Sequence, residues 1–92
     1  MSFSITFSQH FLREAKRFFR KHPDLREEYE RVLEDLRIDP HQPRLRLHPL
    51  TGRLRGQHAI SLTYAYRITL TLLVTEHTIT LLDIGVHDEV YR

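Results

Sequence analysis

Residues 58–74 read HAISLTYAYRITLTLLV, and the architecture turns on how that run is parsed. Ile60, Leu62 and Tyr64 alternate with Ser61 and Thr63. Tyr66, Ile68, Leu70, Leu72 and Val74 then alternate with Arg67, Thr69 and Thr71. A period of two places each set on one face of a strand. Threonine at the outward positions supports strand over helix, because a branched side chain suits a half-exposed pleated surface. The stretch predicts two strands of one hairpin, and "TITLLDIG" (78–85) predicts a further regular strand.

Upstream, "FSITF" (3–7) alternates as a short strand, and Ser8 is placed to cap a helix, with Phe7 and Leu12 as a hydrophobic staple. Phe11, Leu12, Ala15, Phe18 and Phe19 predict a helix over 9–21. "KHPD" interrupts it. Pro23 suits the first turn of a second helix, whose stripe is Leu25, Tyr29, Val32, Leu33 and Leu36, and "DP" at 39–40 ends it. So short a break implies an antiparallel helical hairpin. "RLRLH" (44–48) alternates arginine with leucine and reads as strand. The expectation is an α+β fold, β-α-α-β-β-β: an N-terminal strand, the helical hairpin, then a twisted antiparallel sheet with one face on the helices and the other partly open.

Ninety-two residues fit one domain, 1–92, and leave no room for a second core, so any site lies on the surface of the first. Without cysteine there is no disulfide and no thiolate nucleophile, which fits a reducing compartment. The opening "MSFSITFSQH" lacks the basic and apolar regions of a signal peptide, and the longest apolar run is broken by threonines and "TEH". The expectation is a cytoplasmic chain with no membrane partner.

Charge is distributed unevenly. Residues 1–39 carry eight Lys/Arg and eight Asp/Glu, whereas 40–75 hold five arginines (Arg44, Arg46, Arg53, Arg55, Arg67) and no acid. A basic middle favours a polyanion on one face. Arginine suits phosphate because its planar fork donates in parallel pairs. In "RLRLHPLTGRLRGQHAI" the leucines can anchor while the arginines point out, and Gly52 and Gly56 permit positive-φ turns. Arg44, Arg46, Arg53 and Arg55 are thus candidate RNA or phosphate ligands. The bland alternative is a solvated loop that protects a sheet edge. His48, His58 and His87 lack metal-ligand spacing, so acid–base use is the better reading of them. His10, His22, His41 and His77 take no functional assignment.

"HPLTGRLRG", "ISLTYAYRI" and the closing "LLDIGVHDEVYR" together resemble the RelE/ParE superfamily of toxins from bacterial type II toxin–antitoxin pairs, nearest the YafQ-like branch. The resemblance spans essentially the whole chain. It implies a RelE-like fold and a ribosome-dependent mRNA endonuclease, in which the substrate's 2′-hydroxyl attacks its neighbouring phosphate. It also implies a cognate antitoxin, the ribosome and mRNA as partners, with no metal and no small-molecule cofactor. On the matching positions it makes His48 and His87 the acid–base pair, Arg67 with Arg53 and Arg55 the phosphate ligands, and Tyr91 a terminal aromatic for stacking or proton transfer. A second histidine and an aspartate of the YafQ-like pattern fall on Ser61 and Ala65, which cannot titrate, and His58 should turn to the opposite face from Ser61. Two other readings stand beside the nuclease: a ParE-like inhibitor of DNA gyrase, and a relative that binds RNA without cutting.

Overall fold

In the computed structural model, which describes residues 2–86, five strands form one sheet in the order β1-β5-β4-β3-β2. The strands are β1 (Ser4–Phe7), β2 (His48–Pro49), β3 (His58–Ser61), β4 (Tyr66–Leu73) and β5 (Thr78–Val86). Helices α1 (Gln9–Lys21) and α2 (Arg26–Ile38) lie between β1 and β2. The α+β order read from the sequence holds with one strand more, β-α-α-β-β-β-β, as does the antiparallel pairing of β2 through β5. Strand β1 adds in parallel to β5, with Ser4 opposite Thr78 and Phe7 opposite Leu81, so the sheet is mixed.

Each helix end has a local cause. The Phe11 N–H donates to Ser8 Oγ at 3.0 Å, the cap that the sequence suggested. Phe7 stacks on Phe11, with ring centroids 5.9 Å apart, and Leu12 lines a shallow cleft with them. Pro23 opens a single 3-10 turn, Pro23–Leu25, that reverses the chain into α2. The helices return on each other through Tyr29, whose ring lies 6.4 Å from Phe11 and 4.8 Å from Phe19. Phe11, Phe18, Tyr29, Val32 and Leu36 then bury against Ile60, Ile68, Leu70, Ile79, Leu81 and Ile84 of the sheet.

Three further expectations change. The strand read over 58–64 stops at Ser61, and Tyr64, read onto its apolar face with Ile60 and Leu62, stands exposed in the turn before β4. The run 44–48 is mostly not strand: Pro43–Leu45 forms a 3-10 turn and Arg46 is left-handed, at φ 54°. Only His48 and Pro49 pair with β3. Pro43 sets the turn, and burial of Leu45 inside the core pins it. Nor is β5 regular. Thr69 pairs with Asp83 but Leu70 pairs with Leu81, leaving Leu82 as a bulge. The bulge turns Ile84 into the core, opposite Ile68, and sets Gly85 beside Arg67.

Candidate functional site

The face of the sheet turned away from the helices carries two cross-strand rows. Residues paired across antiparallel strands share a face. His48, Ala59 and Thr69 therefore form one row, whose β5 partner Asp83 turns its carboxylate to within 3.4 Å of His10 on α1, and Ser61, Arg67 and Gly85 form the next. The middle of this face is built of small side chains, with Ala59 and Thr69 fully covered. His48 and Arg67 stand at its periphery, two strands and one pleat apart, a backbone separation of about 12 Å by ordinary strand spacing. The fold thus brings together two of the predicted catalytic residues, 19 positions apart in sequence. His87 and Tyr91 lie outside the described residues.

The left-handed backbone of Arg46 orients its carbonyl toward His48, whose Nδ1 lies 2.8 Å from that oxygen. A carbonyl only accepts, so Nδ1 is the protonated nitrogen and Nε2 carries the lone pair of the neutral ring. One residue therefore supplies a cation with its side chain and sets a histidine tautomer with its backbone.

Arg67 is held from the other side. Its Nη1 donates to the carbonyls of Thr63 (3.1 Å), Tyr64 (3.0 Å) and Tyr66 (3.3 Å), tying the guanidinium into the turn between β3 and β4. The fixed group lines a cleft of about 240 Å³ together with Arg44, Arg46, Ser61, Tyr64 and Asp35. Arg44 donates to Asp35 Oδ1 at 2.9 Å, so its charge is partly spent on α2. Arg46 makes no ion pair among the described residues, which leaves Arg46 and Arg67 as the cations the cleft can offer an anion.

Arg53 and Arg55 sit apart from that cleft, exposed on the 3-10 turn Gly52–Leu54 and just after it. Gly52 and Gly56 frame the turn at φ 65° and 96°, the positive angles that the sequence suggested. His58 pairs with Leu70 on the helix-facing side, away from Ser61. Its Nδ1 is buried with no hydrogen-bond partner. Burial foremost, then the charges of His41 and His48, pushes its pKa below the ordinary 6.5. Among the described residues no group of three or more His, Cys, Asp or Glu is placed to hold a metal ion. No helix among them is long and apolar enough to cross a membrane.

Sequence reasoning missed Arg46's double role and the Arg67 clamp. The Arg46 carbonyl matters only because its backbone is left-handed, which nothing in "RLRLH" signals. Arg67 was legible as a cation, but its turn partners are backbone carbonyls, which carry no sequence signature.

A strand, a helical hairpin and a mixed five-stranded sheet in this order give the chain the fold of RelE/ParE-superfamily toxins, YafQ-like proteins included. The metal-bound toxin from Helicobacter pylori is 26% identical, with a TM-score of 0.78 over 97% of this chain and 98% of that one. YafQ from E. coli strain BL21(DE3) is 14% identical, at TM-score 0.73 over 98% and 99%. The E. coli DinJ-YafQ toxin-antitoxin complex contains a chain 15% identical, at TM-score 0.72 over 100% of both. The two YafQ comparisons speak to fold. No protein-family model matches the chain, and no curated protein does.

Proposed function

We propose that this chain is the toxin of a type II toxin–antitoxin pair and that it cleaves mRNA on the ribosome. The observation that carries the reading is the joint placement of His48 and Arg67 on the free face, with the His48 tautomer set by Arg46. In the reaction, the substrate's 2′-oxygen attacks the adjacent phosphorus while His48 Nε2 takes its proton. The bond to the 5′-oxygen breaks, and an acid protonates that leaving oxygen. With His48 as base, His87, the other member of the acid–base pair that the resemblance implies, is the acid. The products are a cyclic phosphate and a 5′-hydroxyl. Charge grows on the phosphorane oxygens, so fixed cations contribute most in the transition state. Arg67 and Arg46 supply them, and Arg53 and Arg55 hold flanking phosphates.

The partners follow from the same reading: ribosome and message as substrate, and an antitoxin as inhibitor, as DinJ stands to YafQ in the complex of similar fold. The compartment is the cytoplasm. A specific observation favours a second reading, an RNA-binding relative that does not cut. Ser61 and Ala65 cannot titrate, and one nitrogen of Arg67 is already committed to carbonyls.

Primer extension on a reporter message in a cell-free translation system separates the two. Wild type should create new 5′-hydroxyl ends only when ribosomes translate, and His48→Ala should lower their yield roughly 10²- to 10⁴-fold, the ordinary contribution of a general base. Inhibition of translation without new ends would discard the nuclease and retain the binding relative.

A further inference from the structure

Tyr64 is 94% exposed, whereas the other exposed large apolar side chains, among them Ile38, Val74 and Leu12, range from 41% to 59%. An aromatic ring left almost wholly in water keeps its full gain from burial for whatever comes to cover it. Its backbone, by contrast, is tightly held. The Tyr64 carbonyl accepts from Arg67 Nη1 at 3.0 Å, and the Thr63 carbonyl accepts from the same nitrogen. The Leu62 N–H donates to Tyr66 O at 2.9 Å, and the Ala65 N–H to Thr63 Oγ1 at 3.3 Å. A free ring therefore stands on a fixed turn, and the side chain that fixes the turn is a phosphate-binding candidate. Tyr64 is also among the residues that line the cleft holding Arg46 and Arg67.

We propose that Tyr64 is the platform on which a nucleobase of the bound RNA stacks, next to the phosphate held by Arg46 and Arg67. The inference rests on the RNA-binding part of the reading above and not on its cleavage step. Three features carry it. An aromatic face takes any base, and its rigid ring with two side-chain torsions loses little freedom on stacking. Adjacent guanidinium groups supply the phosphate contact that a base must bring with it. Because Arg67 bonds the carbonyl of Tyr64, the ring and the phosphate ligand keep a fixed relation, which is what distinguishes one nucleotide's position from its neighbour's. Glu28 and Asp35 on the same cleft wall are paired with Arg31 and Arg44, so they do not oppose the anion unshielded.

The test measures equilibrium binding of the full chain to ribosomes carrying a fluorescent message whose riboses are 2′-O-methylated. Such a message cannot be cut, so binding is read whether or not the chain is a nuclease. In parallel messages, one nucleotide at a time is made abasic. Tyr64→Ala should weaken binding about tenfold, the scale of one base–aromatic stack, with an unchanged salt dependence. Tyr64→Phe should bind as wild type. At one message position the abasic substitution should weaken wild type by the same factor and Tyr64→Ala no further. Equal affinity of wild type and Tyr64→Ala would overturn the proposal. So would abasic losses that multiply with the Tyr64→Ala loss at every position. Unchanged RNA binding with lost binding of an acidic peptide partner would give the ring to a protein contact instead. Absence of any wild-type binding to the ribosome–message complex would overturn this inference together with the RNA reading, while binding without cleavage would overturn only the nuclease step.

Discussion

Arg46 shows how much one residue can carry in a small domain. Its left-handed backbone is unfavourable for a side chain with a Cβ, a cost on the order of 1–2 kcal/mol. That conformation presents its carbonyl to His48 Nδ1 and brings its guanidinium to the cleft with Arg67. Glycine adopts the same backbone without strain but loses more freedom on folding, so the two effects partly offset each other. Arg46→Gly should therefore leave stability unchanged or raise it by up to about 1 kcal/mol. The His48 hydrogen bond survives, because it uses the backbone. Cleavage should nevertheless fall about 10- to 100-fold, the loss of one charged hydrogen-bonding group. Arg46→Ala keeps the strain and loses the same cation, so it should match Arg46→Gly in activity and lie below it in stability. Urea unfolding beside the primer-extension assay checks both. An Arg46→Ala variant more stable than Arg46→Gly would show that the backbone at this position is not strained, since only glycine's entropy cost would then separate them.

The junction of β1, α1 and β5 shows which parts of the fold the sequence made readable. Ser8 was legible as a cap because the residue type and the apolar run after it follow a local rule. The structure gives it more: its N–H donates to Leu81 O at 3.0 Å and its hydroxyl lies 3.4 Å from Leu82 O. His10 Nε2 lies 3.4 Å from Asp83 in the same junction. Ser8→Ala should thus cost about 1 kcal/mol through the lost cap, lowering the thermal midpoint by roughly 4–8 °C, whereas Ser8→Gly should cost only a few tenths. A midpoint shift below 2 °C for Ser8→Ala would mean that water replaces the hydroxyl at the helix end. The pairing of β3 with β4 was legible too, since period-two alternation is local, but the turn was not: alternation gave Tyr64 to the apolar face, and the Leu62–Tyr66 hydrogen bond instead turns it out. Where contacts distant in sequence decided the outcome, reading failed. The alternation in 44–48 was overridden by Pro43 and the buried Leu45. The paired leucines 81 and 82 were a visible break in the alternation of β5, yet which one bulged depended on the register with β4. The site followed the same division. Arginine and histidine announced phosphate and proton chemistry by residue type. Their meeting on one face needed the β2–β3–β4 register, and the parallel placement of β1 needed the whole sheet.

Taken as a whole, the described residues place one group with a shifted pKa toward each border of the stable pH range. At the acid border, His58 sits half-buried on the helix-facing side with its Nδ1 unpartnered, and its folded-state pKa lies below 6.5. The unfolded chain then binds a proton that the folded chain refuses. Stability is accordingly full above about pH 6.5 and declines as pH falls through that value toward the folded pKa. At the alkaline border, burial of Tyr29 between Phe11 and Phe19 pushes its phenol up from 10.0 to about 12; Arg26 beside the ring opposes the shift and Glu30 adds to it. Here the unfolded chain releases its proton first. Stability is full below about pH 10 and falls as pH rises toward 12, by on the order of 2 kcal/mol. Urea midpoints measured from pH 5 to pH 11 should form a plateau with a slope at each end. His58→Leu should flatten the acid slope alone. Tyr29→Phe, which keeps the ring stack and removes only the hydroxyl, should flatten the alkaline slope alone. These sites lie on different elements, so the double variant should show both changes added. An alkaline slope that persists in Tyr29→Phe would show that the buried phenol has no part in setting the range.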